Sequence, residues 1–262
     1  MISRRQFHAT LAASALTVAA APKLRLGIGC YTYHSLSIDA MIEQLKAIKV
    51  TEIELSRGEY MTFKHPPPEM FETFRRKIDA AGVKCVSYYA PTIKTQQDLD
   101  DSVRNAKILG CANISGDPEG EMLKAVDERL TKEGLTFGIH NHFFPKKKFV
   151  YESPEDILKA LQGRSKTMGV TLDIGHIISC GYEPMDAVRK LGPYLRVVHL
   201  KDIQAPGAEV NVPLGTGLCK IKEVMGALKK MNFAGLIAFE YEKEGEINDD
   251  VARQMAFARK LL

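Results

Sequence analysis

From Leu24 onward the chain alternates eight times between two periodicities. Short β-rich runs, LRLGIGCYTY (24–33), EIELS (52–56), KCVSYYA (84–90), NISG (113–116), LTFGIHNH (135–142), MGVTLDIGH (168–176), LRVVHLKD (195–202) and GLIAFEYE (235–242), are separated by helical stretches. Spacings of three and four residues group Met41, Leu45 and Ile48 on one face of 38–50, and Met70, Phe74 and Ile78 on one face of 68–82. SPED at 153–156 marks a helix start, with Ser153 as N-cap, Pro154 at the first helical position and Asp156 where a capping-box acid belongs. Asn248 is expected to cap the last helix. Strands rich in Val, Ile and Leu, each followed by a helix, predict a parallel sheet with helices outside. Eight such units in 262 residues favour closure into a single (β/α)8 TIM barrel of the α/β class. The first run continues as GIGCYTY without GxGxxG, so a dinucleotide-binding fold has little support.

A closed barrel of this kind brings the C-terminal ends of its strands into one cup. His140, Asp173, His199 and Glu240 lie near the ends of the last four runs. Polar groups there are costly to bury unless they are paired or bound to a metal, and one shared divalent ion accounts for all four. By strand alternation His142 shares a face with His140, Lys201 with His199, and Glu242 with Glu240. His176 follows Gly175 in LDIGH and is placed either as a further ligand or as a substrate-binding residue; Asp173 could equally cap the following helix. Glu54, near the end of the second run, either faces the cup or caps the next loop.

The net charge of +4 includes Arg4 and Arg5 in the first segment. The remainder is too balanced to suggest nucleic-acid binding, and the three lysines at 146–148 read as a solvated loop. SRRQF at 3–7, followed by the small apolar run LAASALTVAAA at 11–21, resembles a twin-arginine export signal. Residues 1–21 are therefore expected to be an export segment read by the twin-arginine machinery and cleaved near Pro22, and 22–262 the barrel. This places the protein in the periplasm or otherwise outside the cytoplasm. The apolar run is well short of the ~20 residues that span a bilayer, so no stable membrane anchor is expected. The five cysteines form no CxxC pair, which argues against a zinc knuckle or a thioredoxin-type site.

The motifs LDIGH (172–176), HLKD (199–202), PLGTG (213–217) and FEYE (239–242) resemble the xylose-isomerase-like barrel superfamily, in its branch of sugar phosphate isomerases and epimerases. That resemblance implies one divalent ion, Mn2+, Mg2+, Co2+ or Zn2+, held by Glu, Asp, His and Glu from the last four strands. Asp173, His199 and Glu240 match the last three, while His140 stands where many members carry the first Glu. The implied activity is isomerisation or epimerisation of a ketose or keto-sugar through an enediolate, with Glu240, Lys201 and His142 as the acid–base candidates. Loss of one carboxylate at His140 also fits relatives that act as lyases or dehydratases on a 3-keto-glycoside or inosose. A non-catalytic sugar-binding barrel is a third reading. Tyr31, Tyr33, Tyr88 and Tyr89 are placed either in an aromatic wall for a sugar ring or in the core; Tyr31 and Tyr88, with His176 and Glu54, make up the expected substrate-binding set. PLGTG is expected to close over the substrate.

Overall fold

The computed structural model describes residues 23–56, 65–90 and 93–262. The expected export segment, 1–21, lies outside them. Eight parallel strands form one closed barrel: β1 (Arg25–Gly29), β2 (Glu52–Leu55), β3 (Lys84–Tyr89), β4 (Asn113–Gly116), β5 (Thr136–His140), β6 (Met168–Asp173), β7 (Leu195–Leu200) and β8 (Leu236–Phe239). Each strand pairs with its sequence neighbours, and β1 pairs with β8 from Arg25 opposite Leu236 to Ile28 opposite Phe239, which closes the cylinder. The main outer helices are α1 (Ile38–Ala47), α2 (Pro68–Ala80), α3 (Gln96–Leu109), α4 (Gly120–Glu133), α5 (Pro154–Leu161), α6 (Ile174–Ser179), α7 (Pro184–Leu191), α8 (Ile221–Lys230) and α9 (Asn248–Arg259). The predicted (β/α)8 architecture is therefore observed. No described helix is long and apolar enough to cross a membrane.

The helical faces read from spacing are the buried ones. Met41 and Leu45 on α1, and Phe74 and Ile78 on α2, are fully buried against the barrel, while Met70 yields its central place to Phe71. The capping box at α5 is present: Ser153 Oγ accepts from Asp156 N at 3.0 Å, and Asp156 Oδ2 accepts from Ser153 N at 3.2 Å. Asn248 is not a cap but the first helical residue of α9, behind Ile247.

Two strand runs end earlier than their apolar pattern suggests. The first stops at Gly29, and Cys30–Tyr33 turns into a 3-10 helix. The sixth stops at Asp173, because that side chain accepts from His176 N and starts α6. Both exits turn the backbone at the rim of the cup, which is where the chemistry-bearing residues sit.

Barrel interiors are usually filled by layers of Val, Ile and Leu. Here part of the interior is polar: Glu54, Ser87, Ser115 and Thr171 are all fully buried. Ser115 Oγ lies 2.7 Å from Thr171 Oγ1, and Asn113 Nδ2 donates to Ser87 Oγ at 3.0 Å. This polar layer lies directly beneath the site.

Candidate active site

The cup at the C-terminal end of the barrel is a cavity of about 440 Å³, within the range of small-molecule sites. His140, Asp173, His199 and Glu240 meet at its floor. His140 Nε2 is 3.3 Å from His199 Nδ1 and 3.9 Å from Asp173 Oδ2. His199 Nδ1 is 3.6 Å from Asp173 Oδ2 and 3.4 Å from Glu240 Oε2. Ligands about 2.1 Å from a tetrahedral ion stand about 3.4 Å from one another, so these separations match the edges of such a polyhedron. Asp173 Oδ2, buried at this point, is held by the Lys201 ammonium at 2.9 Å. Asp173 forms, with His140 and His176, one group of side chains close enough to share a metal ion. A second such group, Glu54, His199 and Glu240, adjoins it, so the donors present are of a kind and spacing that fit a divalent cation.

Asp173 divides its two oxygens between both roles foreseen for it. Oδ1 accepts from His176 N at 2.8 Å and caps α6, while Oδ2 points into the cup. Its carboxyl lies well below the ordinary range: burial pushes it up, but the neighbouring His176, Lys201 and His199 outweigh that.

Glu54, expected among the substrate-binding residues, does not line the cavity. It is fully buried on β2, where Oε2 is 2.5 Å from His199 Nε2 and Oε1 accepts from Ser87 Oγ at 2.7 Å and Ser115 Oγ at 2.8 Å. Burial raises its carboxyl, yet the His199 charge and these hydrogen bonds hold it below the ordinary value. Burial would lower His199, but the charges of Glu240 and Glu54 and hydrogen bonds to Asp173 and Glu54 raise it well above the usual histidine range. His140 and His176 stay neutral: burial holds His140 well below the histidine value and pushes His176 down to about 3.

Lys201 lies just past β7 and is almost wholly buried. Its ammonium is 2.9 Å from Asp173 Oδ2 and 3.1 Å from Glu240 Oε2, and it also donates to Glu242. Burial disfavours its charge, but the three carboxylates raise it well above the ordinary lysine value. These carboxylates favour its ammonium form. Two glycines make this packing feasible. A Cβ on Gly29 would lie 2.4 Å from Glu240 Oε1, and one on Gly175 would lie 2.4 Å from Lys201 Cγ.

The wall is aromatic. His142 stacks between Phe149, at 4.7 Å between ring centroids, and His176, at 4.5 Å. Its Nδ1 is 2.9 Å from Phe143 O, which makes Nδ1 the donor and leaves Nε2 as an acceptor. Tyr31 lines the cavity and stacks on His34. Tyr88 does not line it: its ring packs edge-on to Phe71 of α2, 5.6 Å away, in the core. Adjacent strand residues point to opposite sides, so Tyr89 is the one that reaches the cup, against His140. Tyr33 is likewise buried in the core.

Glu242, Glu209, Ser56, Phe143 and Phe144 complete the lining. Alternation in FEYE pointed to Glu242, and Ser56 ends the EIELS run; Glu209, Phe143 and Phe144 sit on turns and loops that carry no periodic signal. PLGTG contributes nothing to the lining. Asp202 pins it from beneath: Oδ2 accepts from Gly215 N at 2.8 Å and Gly217 N at 2.9 Å, and Oδ1 from Cys219 N at 3.0 Å.

Closed parallel barrel, cup-side donors and sequence agree on a class. The family model described as xylose isomerase-like TIM barrel matches residues 42–261, and the chain belongs to that family. No curated protein matches the chain in sequence. Among solved structures it is similar to a D-tagatose 3-epimerase-like protein, with TM-score 0.75, 17% identity and coverage of 91% of this chain and 97% of that one. It is similar to the probable 3-DHS dehydratase AsbF of Bacillus anthracis, with TM-score 0.70, 13% identity and coverage of 90% and 99%. A third similar structure is an IOLI protein with a bound zinc atom, with TM-score 0.70, 12% identity and coverage of 91% and 96%. At these identities the likeness establishes the shared fold.

Proposed function

We propose that the protein is a metal-dependent sugar isomerase or epimerase that acts on a ketose or keto-sugar through an enediolate. The observation that carries this reading is the meeting of His140 Nε2, Asp173 Oδ2 and Glu240 Oε2 around His199 Nδ1, at 3.3, 3.6 and 3.4 Å. Similar barrels include a D-tagatose 3-epimerase-like protein and a zinc-bound one. A divalent ion held by these four residues would supply Lewis acidity to adjacent carbonyl and hydroxyl oxygens of a sugar. Its identity lies among Mn2+, Mg2+, Co2+ and Zn2+.

The chain's own groups supply the rest. Glu240 is raised from the ordinary carboxyl value by burial, partly offset by His199 and Lys201, which suits a group that accepts and returns a proton. Lys201, held as an ammonium, stabilises negative charge developing on a substrate oxygen. His142, neutral because burial lowers its affinity for a proton, offers Nε2 as a second acceptor. Tyr31 and Tyr89 give a sugar ring flat surfaces to lie on. Export through the twin-arginine route remains part of this reading, on the strength of SRRQF and the apolar run after it.

One observation favours a second outcome. His140 supplies an imidazole where epimerases that shuttle a proton between two ligand carboxylates need the second one. An α-proton removed by Glu240 could then be followed by loss of a neighbouring group, which is lyase or dehydratase chemistry on a 3-keto-glycoside or inosose. Incubation of metal-loaded protein with free ketoses and 3-keto-glycosides in D2O, followed by NMR, tests both. Deuterium uptake without cleavage is expected for epimerisation, and release of the C1 substituent for a lyase. Neither signal from protein that holds its metal would leave only a binding role.

A further inference from the structure

We propose that Glu54 is a positioning residue for the metal centre: it holds His199 by Nε2 so that Nδ1 faces the ion. This rests on the metal reading above and adds to it a residue from the opposite side of the barrel. Glu54 comes from β2, 145 positions from His199 in sequence, yet its Oε2 lies 2.5 Å from His199 Nε2. With Nε2 so engaged, only Nδ1 is left to face His140, Asp173 and Glu240, and it does so at 3.3 to 3.6 Å.

The polar layer under the site is built around this one carboxylate. Ser87 on β3 and Ser115 on β4 both donate to Glu54 Oε1. Asn113 Nδ2 lies 3.0 Å from Ser87 Oγ and 3.2 Å from Ser115 Oγ, and Ser115 Oγ also meets Thr171 Oγ1 on β6. Four strands thus contribute polar groups in a region where barrels normally place branched aliphatic residues. As a device for stability alone this is poor, because well-packed apolar residues often replace a buried ion pair without loss. As a device for ligand geometry it makes sense. A carboxylate on the far ring nitrogen fixes the tautomer and ring orientation and raises the basicity of the ligating nitrogen. Glu54 itself does not reach the cavity, so it acts through His199.

The test compares wild type with Glu54→Met, an apolar replacement of similar length, and Glu54→Gln, which keeps an oxygen acceptor without the charge. Zn2+ affinity is measured by competition with a chromophoric chelator, and the His199 ring is followed by NMR in protein carrying 15N-histidine. Expected losses are about 100-fold for Glu54→Met and about tenfold for Glu54→Gln. A slowly exchanging Nε2–H signal should be present in wild type, retained in Glu54→Gln and absent in Glu54→Met. If Glu54→Met does not fold, the Glu54→Gln affinity decides. Zn2+ affinity in either variant equal to that of wild type, or an unchanged Nε2–H signal in Glu54→Met, overturns the positioning role while leaving the metal site intact. Wild-type protein that takes up no Zn2+ overturns both.

Discussion

Gly29→Ala should disable the site while leaving the fold in place. Gly29 closes β1 with φ −75° and ψ 120°, an extended conformation open to alanine. The new Cβ would lie 2.4 Å from Glu240 Oε1 and 2.7 Å from its Cγ, where ordinary contact begins at 3.4 Å. Relief requires Glu240 to move by the difference, 3.4 − 2.4, or 1.0 Å. Metal–ligand distances tolerate only about 0.2 Å, so Glu240 cannot keep its place on an ion. Metal affinity should fall at least tenfold, or about 1.4 kcal/mol. Turnover should fall on the order of 100-fold, the cost of a misplacement of about 1 Å in a reacting group. The metal-free protein should unfold at nearly the wild-type temperature, because alanine loses less backbone entropy than glycine on folding. Gly226→Ala on α8, where a Cβ meets nothing within 4 Å, is the control and should bind as wild type does. Chelator competition and thermal unfolding of the metal-free proteins give the two readouts. A folded Gly29→Ala variant with affinity within about twofold of wild type would refute the placement of Glu240 on the ion.

Asp202→Ala removes the acceptor for three loop N–H groups and should cost about 3 kcal/mol in urea unfolding; a loss under about 1 kcal/mol would show that the loop stands without it. In metal-free protein, His176 takes up a proton only near pH 3 when folded, against about 6.5 when unfolded. Its contribution is therefore fully present above about pH 6.5 and is lost as pH falls toward 3, at about 1.4 kcal/mol per pH unit. His176→Gln should make the acid branch of the stability profile shallower by that slope, and an unchanged slope would place the native ring's titration near its ordinary value. Restoring the acid with His140→Glu adds one negative charge to the donor set and should shift preference from Zn2+ toward Mn2+ or Mg2+. Unchanged metal choice and proton exchange would remove His140 from the ligands.

Much of this site was legible in the sequence because strands expose alternate residues. His140, His199 and Glu240 interrupt apolar runs near their ends, and the partners two residues on, His142, Lys201 and Glu242, follow by the same alternation. The rule failed where the strand itself ended. Tyr88 and Tyr89 are adjacent and equally aromatic, so choosing between them required the register of β3. Glu54 was open for a similar reason: a carboxylate near a strand end can cap, bind substrate or support another side chain, and only the tertiary structure brings it 2.5 Å from His199 Nε2. Asp202 carried no periodic signal, since its partners are backbone groups of a loop 13 to 17 residues away.

The order of apolar and polar residues determined by itself that this chain alternates strand and helix eight times, because local periodicity selects secondary structure and eight such units fill one cylinder. Tertiary structure alone decided which polar groups act as a unit. Residues as far apart as Glu54 and His199 become neighbours only when β1 meets β8 and the interior is shared, and their charge states follow from that shared burial rather than from any flanking sequence.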